Sequence, residues 1–522
     1  MLTQVLFAVI PIAWLIIAMT LLKMSGVKAC GIGLVITAAE CLAVYKMGVP
    51  EVATGAAEGA IAALWPICII IVAAMFTYNM SLHTGAMDII KGMLGSVSND
   101  KRIVALILGW GFSNFMEGIA GFGTAVAIPA AMMVGLGFDP ISAAVICLIG
   151  NAASPAFGAI GTPTISAANT AGLDPNLLSE PTAFLLLILN LISPFIIIYL
   201  VGGSWKALKG VLPITLVSAV SFYVPFYAVA RFVGPELSVV VGSLVTLICI
   251  ILMGRNSKEN IPEEYLLTKP AERGTGAEGT ASSKASSQAA AGKMSAAAAW
   301  LPYILILIFL LGASKLVPPV NSFLGQFKSS LTVYSGQNPA TLSLSWINTP
   351  GVLMIIAALI GSAIQGASAA DMLHVMKKTF QGYWKAKLTV VFIVAIAKLM
   401  GYSGMVLSLA NGLVAMTGNV YPLIAPIIGG IGCFVTGSAT SACIMFANLQ
   451  NEVASQLGVN PYWLVAANSA GATAGKMISP QSIAVAVAAV SASGQDGAIM
   501  RKTILWCALY LVIVCIMCFV GA

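Results

Sequence analysis

Charge is what this 522-residue chain has least of. Charged residues make up 8% of it and histidine occurs twice, against 59% hydrophobic residues. Soluble domains carry about 25% charged residues, so a soluble globular fold is excluded. His83 and His374 both fall in loop or amphipathic stretches. No metal cluster or Ser-His pairing is visible, no cofactor motif stands out, and the chain does not read as an enzyme. The glycines at 121 and 123 follow no strand, which dismisses a dinucleotide fingerprint. The net charge of +7 is scattered over loops and does not mark a nucleic-acid binder; in a membrane protein it reports sidedness. The ten cysteines sit singly inside apolar runs, which argues against a disulfide framework. Cys515 and Cys518 form a C-x-x-C within the last apolar run and read as buried small hydrophobes.

What is there is apolar length. Mean hydropathy is +0.97, and runs of about 20 residues, enough to cross a bilayer, recur from end to end. They predict an all-α polytopic membrane protein with roughly twelve to fourteen membrane segments, broken ones included. A membrane β-barrel would instead alternate over strands of about ten residues. Residues 4–22 follow an uncharged start and read as a retained first helix rather than a signal. Further helices are expected at 29–45, 60–81, 182–201, 211–233, 236–253, 300–316 and 386–402. The stretch 46–59, with Glu51 and Glu58, and the polar stretch 317–345 are expected as loops. Residues 254–299 turn charged and then Ala/Ser/Gly-rich, which predicts a flexible, cytoplasmic linker between two transmembrane halves, 1–253 and 300–522.

Two stretches resist the helical reading because they are apolar yet rich in Gly, Pro, Asn and Ser: 112–163 and 431–480. Lipid tolerates broken backbone only where protein or a water-filled cavity covers it. Paired interrupted segments in two halves point to a transporter's substrate site. The two stretches keep register: Asn151 to Pro163 matches Asn468 to Pro480, and Trp65, Thr84-Gly85 and Gly118 match Trp384, Ser403-Gly404 and Gly437. The helix after Trp65 has Glu51 and Glu58 before it, and Lys91, Lys101 and Arg102 after it. The helix after Trp384 has His374, Lys377, Lys378, Lys385 and Lys387 at its start and an uncharged 403–424 beyond it. By the positive-inside rule the matched helices run in opposite directions, which predicts inverted repeats.

Few residues inside these runs can carry chemistry. Glu117 is an intramembrane carboxylate, a functional candidate by default and often a proton carrier; capping a broken helix is the alternative. Lys398 and Lys476 lie in apolar runs, and a buried ammonium needs an anion, either Glu117 or a substrate carboxylate. Lys398 could instead snorkel to the interface. The turns holding Gly121, Gly123 and Thr124, and Thr436, Gly437, Ser438, Thr440 and Ser441, would let half-helices present amides and hydroxyls to an anion, or serve close helix packing. Asn151 and Asn468 are matched amides, suited to substrate or to freed carbonyls.

The segments FMEGIAGFGTAVAI, GLGFDP, CLIGNAASPAFGAIGTP, NLQNEVASQLGVNP and AANSAGATAGKMISPQSIAVA resemble the signature stretches of the bacterial lactate permease family. The resemblance covers most of the chain outside 254–299. It implies a proton-coupled symporter of L-lactate or related 2-hydroxymonocarboxylates such as glycolate, multi-pass in the bacterial inner membrane. On it, Glu117, Lys476 and the two broken turns match family motif positions. The chain departs from the usual pattern at Ala439 and Cys443, where an acidic residue and an Asn are usual, and at Ser154. Its rivals are a sodium-coupled carrier of another small carboxylate and an anion channel.

Overall fold

The structure is a computed structural model. It describes all residues except 1, 21, 23, 122, 257–260, 268–293, 315–316, 337–338, 340 and 493–494. Most of the expected linker therefore lies outside the described residues.

The chain is a helical membrane body. Among the described residues six helices are long and apolar enough to cross a bilayer, and up to nine spans result if each of three bent pairs counts as one. The first helix runs Leu2–Thr20, and three shorter apolar helices, Thr124–Gly135, Pro350–Ile364 and Ala425–Thr436, add to these among the described residues. Helices of 10–17 residues are too short to span alone. Thr124–Gly135 and Ala425–Thr436, which adjoin the breaks at Gly123 and Gly437, are the partial crossings that broken segments require.

The helix caps recur in order. Gly85 (φ +75°) and Gly404 (φ +81°) each precede a helix, Ala86–Gly95 and Met405–Thr417. Asp139 and Asn460 each cap a helix that opens on proline, Pro140–Gly150 and Pro461–Lys476. They do so by accepting from Ser142 N at 2.9 Å and Tyr462 N at 3.0 Å. The two matched stretches diverge at their asparagines. After Gly150 the first passes through two 3-10 turns, Asn151–Ala153 and Pro155–Phe157, and bends by 64°. The second stays helical through Asn468 to Lys476 and breaks just before Pro480. Proline explains the difference: Pro155 removes a backbone donor where the register places Ala472.

Three expectations change. Residues 46–59 are not all loop: Val49–Ala62 is helical, with Pro50 in its first turn and Glu51 O ε2 accepting from Gly48 N at 2.7 Å. Alanine, glutamate and a good cap outweigh the glycines there. The stretch 317–345 is not all loop: it holds the helix Pro318–Leu324 and an antiparallel hairpin, Lys328–Thr332 with Thr341–Ser345. The described start of the expected linker is docked rather than free. Leu267 N donates to Asn99 O at 2.8 Å, and the Arg102 guanidinium lies 4.2 Å from the ring centre of buried Tyr265. The ten cysteines are free thiols.

Small residues set how closely the second copy packs. Gly471 and Gly475 of Pro461–Lys476 lie against the backbone of Pro426 and Gly430 in Ala425–Thr436. A Cβ on Gly475 would sit 2.8 Å from Gly430 Cα. This is helix contact through small residues spaced four apart, as in membrane helix pairs.

Candidate functional site

Glu117 sits in the short helix Ser113–Ile119, and Lys476 ends the helix Pro461–Lys476. The two breaks bring them together: Lys476 Nζ donates to Glu117 Oε1 at 2.6 Å, with the side chains 11% and 3% exposed. Glu117 Oε2 is buried without a hydrogen-bond partner among the described residues. Gly158 makes the carboxylate's room, because a Cβ there would run into Glu117 Oε1 and lie 3.1 Å from its Cδ.

The pair lines a cavity of about 240 Å³. Four helix starts open onto it. Gly123 (φ +89°) precedes Thr124–Gly135; Ala439 and Thr440 begin Ala439–Leu457; Gln481 and Ser482 lie in the first turn of Pro480–Ala489. Pro163 opens the right-handed part of Gly158–Ala171. The first amides of a helix lack intrahelical acceptors and carry its positive end. Their convergence puts partial positive charge on the wall of a cavity that also holds the paired Lys476 ammonium and Glu117 carboxylate.

Of the expected residues, Glu117, Gly121, Gly123, Gly437, Ser438, Thr440 and Lys476 line this cavity. Thr124, Thr436 and Ser441 shape its turns instead. Thr124 Oγ1 donates to Gly121 O at 2.7 Å, Thr436 Oγ1 to Gly432 O at 2.8 Å, and Ser441 N to Ser438 Oγ at 3.2 Å. Asn151 and Asn468 are buried off the cavity wall. Asn151 Nδ2 and both amide atoms of Asn468 have no hydrogen-bond partner among the described residues. Lys398 is not brought to this cavity. It neither snorkels nor meets Glu117, but pairs with fully buried Glu58 at 2.9 Å, whose Oε1 also accepts from Tyr402 Oη at 2.7 Å.

Sequence reasoning missed Tyr383, Gln481, Ser482 and Val485 on the wall. Gln481 and Ser482 carried a usable signal, since the residues just after the Pro480 break start a half-helix. Of the departures from the family pattern, Ala439 lines the cavity. Cys443 Sγ donates to Ser469 Oγ at 3.5 Å and Ser154 Oγ to Asn114 Oδ1 at 2.5 Å, both away from the wall.

Comparison with known proteins identifies the family. The L-lactate permease family model matches residues 4–522. The L-lactate permease of Streptococcus iniae is 40% identical, covering 89% of this chain and 93% of its own. That of Bacillus subtilis strain 168 is 34% identical over 99% and 96%. The glycolate permease GlcA of Escherichia coli K12 is 32% identical over 96% and 92%. With the polytopic helical body, these matches show that the chain belongs to the L-lactate permease family and is a multi-pass cell-membrane protein.

Proposed function

We propose that the chain is a secondary active transporter that moves L-lactate, or a related small 2-hydroxymonocarboxylate such as glycolate, together with a proton. The observation that carries this reading is the buried Glu117–Lys476 pair on the wall of an anion-receptive cavity. The relatives' names supply the substrate class. The oppositely charged flanks and recurring caps support two inverted halves moving around this site.

Charge balance derives the coupling. Empty, the site holds Glu117⁻ and Lys476⁺ and is neutral. A proton on Glu117 breaks the pair and frees the ammonium for a substrate carboxylate, so the site holding both is neutral again. Proton alone leaves one positive charge, and carboxylate alone one negative. Unbalanced charge is costly to bury in the membrane interior. Only the empty and doubly loaded sites are therefore suited to change sides, which gives one proton per monocarboxylate. The partnerless Oε2 is where the proton is carried, while the cavity's hydroxyls and amides orient the substrate's 2-hydroxyl.

The test is labelled L-lactate and glycolate uptake into proteoliposomes under imposed proton or sodium gradients, with Glu117→Gln beside wild type. The variant binds carboxylate as a neutral site but returns empty with an unpaired ammonium. Proton-driven accumulation is expected to fall more than tenfold while lactate–lactate exchange persists. Accumulation driven by sodium alone would replace the coupling ion, and proton-driven accumulation surviving in the variant would remove Glu117 from the coupling. Gly158→Ala should reduce uptake at least tenfold by pushing the carboxylate off Lys476. Adding Glu117→Asp, one methylene shorter, should restore part of it.

A further inference from the structure

A second cavity, of about 200 Å³, is lined by Asn176, Glu236, Ser314, Asn321 and Asn348 among others. We infer that it is the other mouth of the same pathway, an outer vestibule for small hydroxycarboxylates that the turn Ala159–Gly161 closes off from Glu117 and Lys476. The inference rests on the transport reading above.

The two cavities share one partition. Ala159 lines the first. Two residues on, Gly161 lies against the Pro235–Glu236 backbone, where a Cβ would sit 2.7 Å from the Pro235 carbonyl carbon. Glu236 lines the second cavity. Buried Ile160 lies between. The partition is one turn of chain thick, and its conformation is uncommon. Ala159 (φ +44°), Ile160 (φ +55°) and Gly161 (φ +72°) are all left-handed, and two of them are not glycine. L-residues enter that region singly if at all, and a β-branched residue is a true outlier there. Such backbone persists only where its surroundings enforce it, and it clusters at clamps and switches. Here Thr162 Oγ1 donates to Ala159 O at 2.5 Å from one side and Pro235 abuts Gly161 from the other.

The two cavities face opposite ways. Tyr383, on the first, immediately precedes the helix Trp384–Tyr402, whose start carries Lys385 and Lys387. The residues of the second come from the far ends of helices whose other ends meet basic segments. Ser238–Asn256 begins after Glu236 and ends at Arg255. Pro175–Leu185, bent into Leu187–Gly202, begins beside Asn176 and leads to Lys206 and Lys209. Pro350–Ile364 begins beside Asn348 and leads to the helix carrying Lys377 and Lys378. By the positive-inside rule the first cavity opens to the cytoplasm and the second to the outside. Ser314 Oγ donates to Leu311 O and Asn321 Nδ2 to Ala313 O, each at 2.7 Å, so the side-chain amides of Asn176 and Asn348, which both donate and accept, are the groups that suit a carboxylate carrying a hydroxyl.

The experiment uses full-length protein in oriented proteoliposomes, Asn348→Cys or the near-isosteric Ser314→Cys for the vestibule, and Gln481→Cys for the inner cavity. The probe is a membrane-impermeant methanethiosulfonate applied to one face at a time. The expected result is modification of position 348 or 314 from the outer face alone and of 481 from the inner face alone. Modification at the vestibule should lower lactate uptake more than tenfold relative to the same variant unmodified, and saturating lactate should slow that modification severalfold. Reaction of both sites from one face, or uptake unchanged after full vestibule modification, would overturn the inference. If wild-type protein carries neither lactate nor glycolate under any gradient, the substrate reading fails by itself, and the sidedness of labelling still decides whether two opposed mouths exist.

Discussion

Lys476→Met is expected to remove lactate transport in every mode, net uptake and exchange alike, by at least a hundredfold. The substitution keeps an unbranched side chain, one atom shorter, and deletes the charge that meets Glu117 at 2.6 Å. Breaking a buried pair by removing one partner costs about 3–5 kcal/mol, and each 1.4 kcal/mol is about tenfold in an equilibrium. Part of that cost falls on the fold, because Glu117 is left buried opposite a thioether. The double variant Glu117→Gln, Lys476→Met removes this conflict. It should recover thermal stability in detergent without recovering transport, since the substrate carboxylate still lacks its cation. Recovery of transport in the double variant would show that the helix starts hold the anion unaided. The contrast with Glu117→Gln is the diagnostic part: one residue is required for binding in any mode, the other only for the return of the empty site.

The second large effect lies in packing. Gly471→Leu is expected to prevent assembly of the second half, read as loss of a monodisperse detergent-solubilised peak. A Cβ at 471 would lie 2.7 Å from Pro426 Cα, and the obstacle is backbone, which cannot rotate aside. Overpacking in ordinary cores costs about 1–3 kcal/mol because side chains can shift; with main chain on both sides the upper end or beyond is expected. Gly92→Leu is the control. Nothing lies within 4 Å of a Cβ there, and the protein should behave as wild type. If Gly471→Leu were equally benign, the two helices would not be held at backbone contact.

Much of this was legible because burying charge in lipid is so costly that a charge in an apolar run marks itself. Glu117 and Lys476 were identifiable that way, and an ammonium's need for an anion left Glu117 or a substrate carboxylate as the partner. The same logic was incomplete for Lys398. Its partner Glu58 lies in a stretch whose glycines and charges resemble a loop, and the helix there is stabilised by a cap and by packing. Gly59 meets Ala395, and a Cβ at that glycine would sit 2.8 Å from Ala395 N. The hairpin was illegible for a different reason. KSSLT and TLSLS are short and nearly exposed on one strand, and a two-stranded hairpin is marginal alone. It is anchored by long-range contacts, Trp65 Nε1 to Ser345 O at 2.8 Å and the Trp65–Trp346 ring pair at 5.1 Å. Asn151 and Asn468 were found by register, yet matching register did not give matching structure, because one proline separates the two copies.

The glycine seam between Ala425–Thr436 and Pro461–Lys476 also restricts how this chain can change. Positions 471 and 475 admit no enlargement, and the main chain they touch belongs to Pro426 and Gly430, so neither side can vary alone. New substrate preferences have to arise where side chains end in open space. On this chain those places are Ala439, Gln481 and Val485 on the cavity wall. Ala439 therefore stands on an adjustable surface, set against a frame that does not adjust.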